Sequence, residues 1–260
     1  MRAEKKKHPQ GVAQFADSTN AQANAPKQFQ DITLDGQLSL FDDPGKLKVL
    51  ELFAGTCSVG KAFERRGHKV FSIEWNKSFP GIDWYEDISN VQASDILERF
   101  GRPDIIWASP DCTTYSVAAI SHHRRKDKSG SLEPISEYAK FCDNVNKHVI
   151  DLINELEPRY WFIENPRGGL RKMDFMRGLP RYTVTYCQYG DTRMKPTDIW
   201  TNHPDPKFKP ACKNGDPCHT PAKRGSRTGT QGLKDSIEKA KIPEQLCEHI
   251  VDICEETNHA

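Results

Sequence analysis

The sequence predicts an α/β fold with a doubly wound, mostly parallel sheet, and three observations support this prediction. A strand, a glycine-containing turn, a helix and a second strand follow one another between residues 49 and 74. Short apolar runs, typical of buried parallel strands, recur at 104–108 and 160–165. Between these runs, apolar residues recur at three- and four-residue steps, as in an amphipathic helix. Strands that alternate with helices form α/β sheets, which bind ligands at the carboxyl ends of their strands.

The first elements form a βαβ unit in "KLKVLELFAGTCSVGKAFERRGHKVFSIEWN". We expect a strand over 49–53, a helix through 61–66 and a second strand over 69–74. The crossover should be right-handed, so that the two strands lie parallel. Asp87 in "YEDIS" either follows the end of a third strand or caps the helix that begins in "SNVQASDILERF".

The later elements follow from the same kinds of pattern. "DIIWA" (104–108) and "YWFIEN" (160–165) are predicted strands, and "YTVTYCQYG" is a further strand rich in β-branched and aromatic residues. The long helix is marked by Tyr138, Cys142, Val145, Val149, Leu152 and Leu156, and the closing helix by Ile242, Leu246, Ile250 and Ile253. We therefore divide the chain into a polar tail (1–46), an α/β domain (47–200), a small region (201–241) and a closing helix (242–260).

Composition limits the classes of protein to which the chain can belong. The 260 residues carry a net charge of +1, so any attraction for nucleic acid must be local. Eight cysteines are spread too thinly for a disulfide scaffold, and no apolar run approaches the length of about 18 residues that a membrane span needs. The N-terminus has no apolar signal segment. We expect a cytoplasmic, soluble protein with reduced thiols.

Two predicted strand ends carry groups suited to chemistry on one substrate. Cys112 lies in the turn "ASPDC" after one strand, and Glu164 lies in "ENP" after another. A cysteine is more often inert than nucleophilic, and Glu164 is equally able to start a helix. Together, at one edge of the sheet, the pair supplies a nucleophile and an acid. At the first turn, Gly55 and Gly60 allow close backbone approach to a ligand, and Glu74 ends the next strand where an acid binds ribose hydroxyls.

These motifs resemble those of C5-cytosine DNA methyltransferases of the compact bacterial and phage type. "LFAGTCSVG", "IEWN", "EDIS", "ASPDC", "FIENPRGG" and "CQYGDTRMK" occur in the order of the family, and "RGSRTGTQG" and "IPEQL" continue it. The resemblance implies a Rossmann-like domain at 47–200 that binds S-adenosylmethionine, and a target-recognition region at 201–241. It implies methylation of C5 in a flipped cytosine of double-stranded DNA.

The resemblance also implies a role for individual residues. Cys112 would attack cytosine C6, Glu164 would hold N3, and Arg193 or Lys195 would contact the pyrimidine oxygen or a phosphate. The S-adenosylmethionine pocket would be lined by Phe53, Ala54, Gly55, Thr56, Glu74, Trp75, Asp87, Ile88, Ser109 and Pro110.

The chain departs from the family at Asp111, where the usual motif reads Pro-Pro-Cys. A carboxylate beside the thiol raises the pKa of Cys112 unless it points away. Three alternatives therefore stay open: methylation of RNA cytosine, methylation of an exocyclic amine, and an inactive DNA-binding protein. Glu164 argues against amine methylation, which has no use for a cysteine–glutamate pair.

Two basic stretches are candidates for DNA contact. "SHHRRKDKSG" contains Arg124, Arg125 and Lys126 in what is predicted to be a polar, flexible loop that closes over the flipped base. Region 203–241 holds nine Lys or Arg against four Asp or Glu, and its Arg224 and Arg227 are candidates for base edges or phosphates. A solvated surface loop is the alternative for both stretches.

Two further patterns admit more than one interpretation. Cys212, Cys218 and His219, with His203 upstream, form a candidate zinc site, but their spacing matches no standard signature, so we expect no metal and small turn-forming residues instead. "QLSLF" in the tail is similar to the peptide by which bacterial proteins dock on the DNA sliding clamp, through Gln37, Leu38, Leu40 and Phe41. The alternative is that these apolar residues pack on the chain's own sheet. We expect a monomer in a bacterial or phage-infected cell, with restriction-modification as one setting.

Overall fold

The computed structural model describes residues 45–128, 130–221 and 235–256. Its strands are β1 (Lys48–Leu52), β2 (Lys69–Ile73), β3 (Ile105–Ala108), β4 (Arg124–Lys126), β5 (Leu132–Pro134), β6 (Tyr160–Pro166), β7 (Arg181–Thr185) and β8 (Pro196–Thr201). Six of them form one sheet in the order β2-β1-β3-β6-β8-β7, and β4 pairs with β5 in a separate hairpin. β2, β1, β3 and β6 run parallel, whereas β8 and β7 are antiparallel to their neighbours. The mostly parallel sheet is confirmed.

Helices cover both faces of this sheet. They are α1 (Ser58–Arg65), α2 (Ala93–Arg99), α3 (Ile120–His123), α4 (Glu137–Leu156), α5 (Ser236–Ala240) and α6 (Glu244–Glu256). α1 and α6 share one apolar core with alternate strand residues such as Val49 and Trp107. α2 and α4 share the other core with Leu50 and Ile106. Successive strand residues point to opposite faces, which is why both faces of β1 and β3 must be apolar. The doubly wound arrangement is confirmed.

The closing helix α6 packs on α1 through buried residues and exposed ion pairs. Leu246, Ile250 and Ile253 lie in the core of this face. At the rim, Arg66 lies 2.7 Å from a carboxylate oxygen of Asp252. The helix therefore covers α1, and its end lies beside Arg66 and His68. Just before the helix, the Ile242 N–H donates to the hydroxyl of Ser58 (3.4 Å), beside the first turn.

Two elements differ from the sequence prediction. Residues before Asp87 form a single parallel bridge between Ile73 and Trp84 instead of a third strand. Asp87 accepts a hydrogen bond from the Ser89 backbone N–H and caps the short 3₁₀ helix Ile88–Asn90, whereas α2 begins after Gln92. The strand in "YTVTYCQYG" ends at Thr185, and a 3₁₀ helix over Tyr186–Tyr189 follows.

β8 was not predicted, and the loop "SHHRRKDKSG" is more ordered than expected. β8 begins at Pro196, a residue that indicates a turn in sequence, yet it lies between β6 and β7. α3 and β4 occupy most of the supposed loop, since β4 finds a partner in β5. Within the described residues, no helix has both the length and the apolar character that crossing a membrane requires.

Candidate active site

A cleft of about 160 Å³ opens at the carboxyl ends of β1, β3 and β6. This is the edge at which α/β sheets bind ligands. Its walls come from five parts of the chain: the first turn with the end of β1, the turn after β3, the end of β6, the loop just before β8 and the segment around α5. The lining residues are Glu51, Phe53, Ala54, Gly55, Thr56, Ser58, Ser109, Pro110, Cys112, Glu164, Pro166, Lys195, Lys239, Ala240 and Ile242.

The first turn is built around the buried carboxylate of Glu51. Its two oxygens accept hydrogen bonds from the backbone N–H groups of Val59 (3.2 Å) and Gly60 (3.0 Å), in the first turn of α1. A Cβ atom at Gly60 would collide with this carboxylate, so the position requires glycine. Burial raises the pKa of Glu51 to about 8, against the lowering effect of the two N–H groups. The carboxylate thus joins β1 to α1 and fixes the turn between them.

Glu74 and Trp75 lie beside the same turn, at the end of β2. The Glu74 carboxylate accepts hydrogen bonds from the Gly55 N–H (3.1 Å) and the Asn76 N–H (2.9 Å). Gly55 has a φ of +50°, a left-handed conformation that glycine adopts without strain. Trp75 is 61% exposed, which is unusual for an indole in a chain with a well-formed core. An acid and an accessible aromatic face therefore stand next to the glycine turn.

Cys112 lies in the turn that follows β3, and β6 holds that turn in place. The side-chain amide of Asn165 donates a hydrogen bond to the carbonyl of Pro110 (2.9 Å). Asp111 accepts from the Thr113 N–H and from the hydroxyl of Tyr138 (2.9 Å). Burial, and next the charges of Asp111 and Glu164, raise the pKa of the Cys112 thiol to about 11, while Lys195 lowers it. The resting thiol is therefore protonated at neutral pH.

Glu164 projects into the same cleft from β6. It is buried, and the hydroxyl of Tyr186 donates a hydrogen bond to its Oε1 atom (3.1 Å). Burial raises the pKa of Glu164, and Lys195 and the hydrogen bonds from Tyr186 and Ser109 only partly offset this. A carboxyl group of this kind holds a proton more readily than an exposed glutamate does, and it is able to donate that proton.

Of the two basic candidates, Lys195 lines the cleft. Its ammonium group donates a hydrogen bond to the Lys239 carbonyl (3.0 Å) and lies 4.4 Å from the centre of the Tyr186 ring. Burial lowers the pKa of Lys195, whereas the charge of Glu164 raises it. The guanidinium of Arg193 instead pairs with the carboxylate of Asp191, its Nε atom lying 3.0 Å from both oxygens.

The remaining residues predicted to bind the methyl donor are not all in the cleft. Phe53, Ala54, Gly55, Thr56, Ser109 and Pro110 line it. Glu74 borders it through its hydrogen bond to Gly55, with Trp75 next in the chain. Asp87 caps its 3₁₀ helix, and Ile88 is only 2% exposed, with its side chain in the apolar core. A role for Ile88 would therefore have to involve its backbone.

The structure corrects the prediction that Arg124 contacts DNA. Its side chain is fully buried, and Nη2 lies 2.6 Å from the carboxylate of Asp143. Nε donates to the Thr114 carbonyl (3.0 Å), and the guanidinium lies over the Tyr115 ring. Reaching a phosphate would break this buried pair. Arg125 and Lys126 are exposed on the same strand, and Arg224 and Arg227 lie outside the described residues.

Sequence reasoning missed several residues of the site. Glu51 had one available signal, because it is a charged residue in an otherwise apolar buried strand. Tyr186, which supports Glu164, lies just before the motif "CQYGDTRMK" and carries no signal of its own. Lys239, Ala240 and Ile242 reach the cleft from the other end of the chain, next to the "IPEQL" motif. A distant contact of this kind is a property of the tertiary structure alone.

The candidate zinc residues also come together, but with a different fourth member. Cys212, Cys218 and His219 lie beside Cys187. His203 lies elsewhere, within hydrogen-bonding distance (3.1 Å) of the Ile253 carbonyl and against the Tyr160 ring.

The chain is similar to proteins of known structure and to proteins of known sequence. A solved methyltransferase structure, Schizosaccharomyces pombe Dnmt2, matches 60% of this chain and 49% of its own, with 14% identity and a TM-score of 0.42. A Spodoptera frugiperda DNMT2 variant matches with 16% identity and the same TM-score of 0.42. The chain thus aligns with about half of each solved chain.

A relative found by sequence covers more of the chain. This relative is a probable DNA (cytosine-5)-methyltransferase of Frog virus 3 (isolate Goorha). The chain is 27% identical to it over 224 residues, which span 80% of this chain and 100% of the relative. The family model of the C-5 cytosine-specific DNA methylases matches residues 47–182, which is more than half of the chain and includes Cys112 and Glu164. The chain therefore belongs to the C-5 cytosine-specific DNA methylase family.

Proposed function

We propose that the chain transfers a methyl group from S-adenosylmethionine to C5 of cytosine in double-stranded DNA, through covalent attack by Cys112. One observation carries this proposal. The thiol of Cys112, the carboxyl group of Glu164 and the ammonium group of Lys195 line one cleft together with the glycine turn. A nucleophile, a proton donor and a cation at a shared site are what addition to a pyrimidine ring requires.

The residues beside the turn fit S-adenosylmethionine. Glu74 offers a carboxylate to ribose hydroxyls, and the exposed face of Trp75 offers a stacking surface for an adenine. The turn from Phe53 to Gly55 leaves backbone groups accessible in the cleft. When bound, this donor supplies an electrophilic methyl group. Asp87 completes the proposed set of S-adenosylmethionine ligands. To bind the donor, its carboxylate must give up the hydrogen bond that it accepts from the Ser89 N–H.

The protein's own groups prepare the base for methylation. The Cys112 thiol first releases its proton to water, and the thiolate sulfur then bonds to C6 while Glu164 delivers its proton to N3, which makes C5 electron-rich. After C5 accepts the methyl group, water removes the C5 proton and the freed electron pair restores the C5–C6 double bond. The sulfur leaves C6 as thiolate, and N3 returns its proton to Glu164. Lys195 lies where its charge favours both the thiolate of Cys112 and the carboxylate of Glu164. Within a duplex C6 is stacked, so the base must flip out, at a cost of a few kcal/mol.

Two exposed cations of β4 are proposed to hold the DNA. They are Arg125 and Lys126, and β4 follows the Cys112 turn and α3 in the chain. Cations in such a position neutralise phosphates and make binding dependent on salt. Arg224 and Arg227 keep their proposed role in target recognition, although they lie outside the described residues.

The test compares the wild-type chain with Cys112→Ala, Glu164→Gln and, as a matched control, Cys254→Ala. We expect Cys112→Ala to lower transfer of a labelled methyl group to DNA by about 10³-fold or more, while S-adenosylmethionine still binds. DNA containing 5-fluorocytosine should form a complex with the wild-type protein that survives denaturation, because fluorine at C5 prevents release. Cys254→Ala should form the same complex.

Several results would overturn this proposal. Persistent methyl transfer by Cys112→Ala would exclude covalent catalysis through this thiol. Mass analysis of the nucleosides that finds the label in RNA cytosine or on an exocyclic amine would exclude DNA C5 as the acceptor. If the label is found on C5 of DNA cytosine instead, bisulfite sequencing of DNA from expressing cells identifies the target sequence.

The proposed setting is the cytoplasm of a bacterial or phage-infected cell, with the chain acting as a monomer. Gln37, Leu38, Leu40 and Phe41 lie outside the described residues, so docking on a sliding clamp stays a prediction from sequence. Titration of the peptide "QLSLF" against a purified clamp tests it, and absence of binding at tens of micromolar would exclude it.

A further inference from the structure

Three cysteine sulfurs and one histidine nitrogen converge at a point outside the cleft. The Sγ atoms of Cys187, Cys212 and Cys218 and the ring nitrogen of His219 all lie within 4.8 Å of one another. The two sulfur–sulfur contacts from Cys187 measure 3.1 Å to Cys212 and 3.6 Å to Cys218. The Nδ1 atom of His219 lies 3.7 Å from the sulfur of Cys212 and 3.6 Å from that of Cys218.

Three of these four distances lie close to the edges of a zinc tetrahedron, and the Cys187–Cys212 distance of 3.1 Å is shorter. Zinc binds sulfur at about 2.3 Å and imidazole nitrogen at about 2.0–2.1 Å. In a regular tetrahedron, such bonds place two sulfurs about 3.8 Å apart and a sulfur about 3.6 Å from the nitrogen. A disulfide would need sulfurs about 2.05 Å apart, and Cys187, Cys212 and Cys218 are all free thiols. The four groups therefore surround a space of the size that one ion fills.

We propose that the chain binds one structural zinc ion through Cys187, Cys212, Cys218 and His219. Three thiolates and an imidazole form a ligand set that favours zinc over magnesium or calcium. Four protein ligands complete the tetrahedron, so no position stays open for water or substrate, and the ion is structural instead of catalytic.

The surroundings of the cluster also suit thiolate ligands. The Gln188 side-chain amide donates a hydrogen bond to the sulfur of Cys218 (3.5 Å), and an N–H group of this kind stabilises a metal-bound thiolate. The backbone N–H of Cys212 donates to the hydroxyl of Thr185 (3.0 Å), which fixes the chain beside β7. The Gly215 N–H lies 3.4 Å from Nε2 of His219. That weak contact is lost when zinc takes Nδ1 and the ring proton moves to Nε2.

The ligands join two parts of the chain that also share a few hydrogen bonds, such as the one from the Lys209 N–H to the Tyr189 hydroxyl (2.8 Å). Cys187 belongs to the 3₁₀ helix after β7, whereas the other three lie in residues 202–221, which are described without any helix or strand. Such a segment has almost no core of its own, and a metal ion supplies the missing cross-link. The Thr220 N–H donates to the Thr192 carbonyl (2.9 Å), beside the loop that carries Lys195.

Because the cluster joins residues 202–221 to the 3₁₀ helix after β7, the ion has a structural role in DNA recognition. This role rests on the proposed function. Zinc would anchor the segment that enters the target-recognition region and hold it next to the cleft. Metal binding itself does not depend on that function, because it is measured without DNA or methyl donor.

The experiment measures metal in the full chain, purified without chelator from zinc-supplemented cells. Elemental mass spectrometry should find about one zinc per chain. Cys212→Ser and Cys218→Ser should lose the metal, while Cys254→Ala and His203→Gln, which change similar groups outside the cluster, should keep it. Replacement by Co²⁺ should give the intense sulfur-to-cobalt charge-transfer absorption of a tetrahedral thiolate site. Chelation should speed proteolysis within residues 202–221.

Two outcomes would overturn the proposal. One is a wild-type chain that holds no zinc and shows no cobalt–thiolate absorption after reconstitution. The other is full zinc content in Cys212→Ser and Cys218→Ser. Cys218 is exposed, so its replacement costs little packing, and circular dichroism separates loss of the metal from loss of the fold. A chain that binds zinc but transfers no methyl group would refute the proposed function and leave the metal site standing.

Discussion

Cys112 is held as a neutral thiol in the free protein, because its surroundings disfavour the thiolate. Burial and the carboxylates of Asp111 and Glu164 raise its pKa to about 11, and Lys195 offsets only part of this effect. At neutral pH roughly one thiol in 10⁴ would be ionised. The nucleophile is therefore exposed to little adventitious oxidation or alkylation until a substrate changes the charges in the cleft.

Asp111→Asn should make Cys112 more reactive. The amide keeps one oxygen for the Thr113 N–H, and its NH2 group is able to donate to the Tyr138 hydroxyl oxygen instead of accepting from it. The substitution removes a negative charge, so the pKa of the thiol falls. We expect Cys112 to react with iodoacetamide about two to ten times faster at pH 8, as followed by peptide mass spectrometry. In the wild type the rate should rise with pH up to about 11. Equal rates in the two proteins would show that the Asp111 charge does not reach the thiol.

Replacing the two adjacent arginines of β4 should affect two different properties, stability for Arg124 and DNA binding for Arg125. Arg124→Ala leaves the carboxylate of Asp143 buried and unpaired, and should lower the free energy of unfolding by about 3–5 kcal/mol. Arg125→Ala should leave it unchanged within about 0.5 kcal/mol. Arg125→Ala should instead weaken DNA binding. It should also reduce by about one the slope of the logarithm of the affinity against the logarithm of the salt concentration. Urea denaturation and salt titration measure the two effects, and weaker DNA binding by a fully stable Arg124→Ala would contradict the assignment.

At the scale of elements, α6 is held on α1 by its apolar face more than by its charges. Ile250→Ala, at a fully buried position, should lower the free energy of unfolding by about 2–5 kcal/mol. Arg66→Ala removes ion pairs at a half-exposed rim and should cost less than about 1 kcal/mol. Chemical denaturation ranks the two variants, and a larger loss in Arg66→Ala would reverse this account.

Some of the strands and helices were predicted well from patterns in the sequence. The parallel strands β1, β2, β3 and β6 and the helices α1, α4 and α6 were predicted, because burial on one or two faces leaves a clear periodicity. β8 was missed, since Pro196 at its start and polar residues within it indicate a loop. Its position depends on pairing with both β6 and β7. Opposite Asp198 lie Asn165 of β6 and Thr183 of β7, which are 33 and 15 residues away in the sequence.

At the scale of the whole molecule, buried glutamates make stability depend on pH. The pKa of Glu51 rises from its ordinary value near 4.5 to about 8 in the folded chain, and that of Glu164 is also raised. Between pH 4.5 and about 8, the folded chain keeps a proton on Glu51 that the unfolded chain has released. The free energy of unfolding should therefore fall as pH rises from about 5 to about 8.

Glutamine has no proton to release in this pH range. Glu51→Gln should therefore reduce the slope of the free energy of unfolding against pH. Denaturant unfolding at several pH values between 5 and 8 measures the slope, and the Glu164→Gln variant provides the second contribution. If Glu51→Gln keeps the full wild-type slope, the folded pKa of Glu51 is not raised and the buried carboxylate is not protonated.

The sequence by itself determined the fold class, the order of the main elements and the pair formed by Cys112 and Glu164. Those features are local: periodicity reports burial, and parallel strands place their carboxyl ends at one edge. The tertiary structure alone decided that Lys195 and not Arg193 faces the cleft, that Arg124 is a buried structural residue, and that Cys187 joins Cys212, Cys218 and His219. These outcomes depend on which distant segments pack together, and side-chain partners across such contacts leave no repeating pattern in the chain.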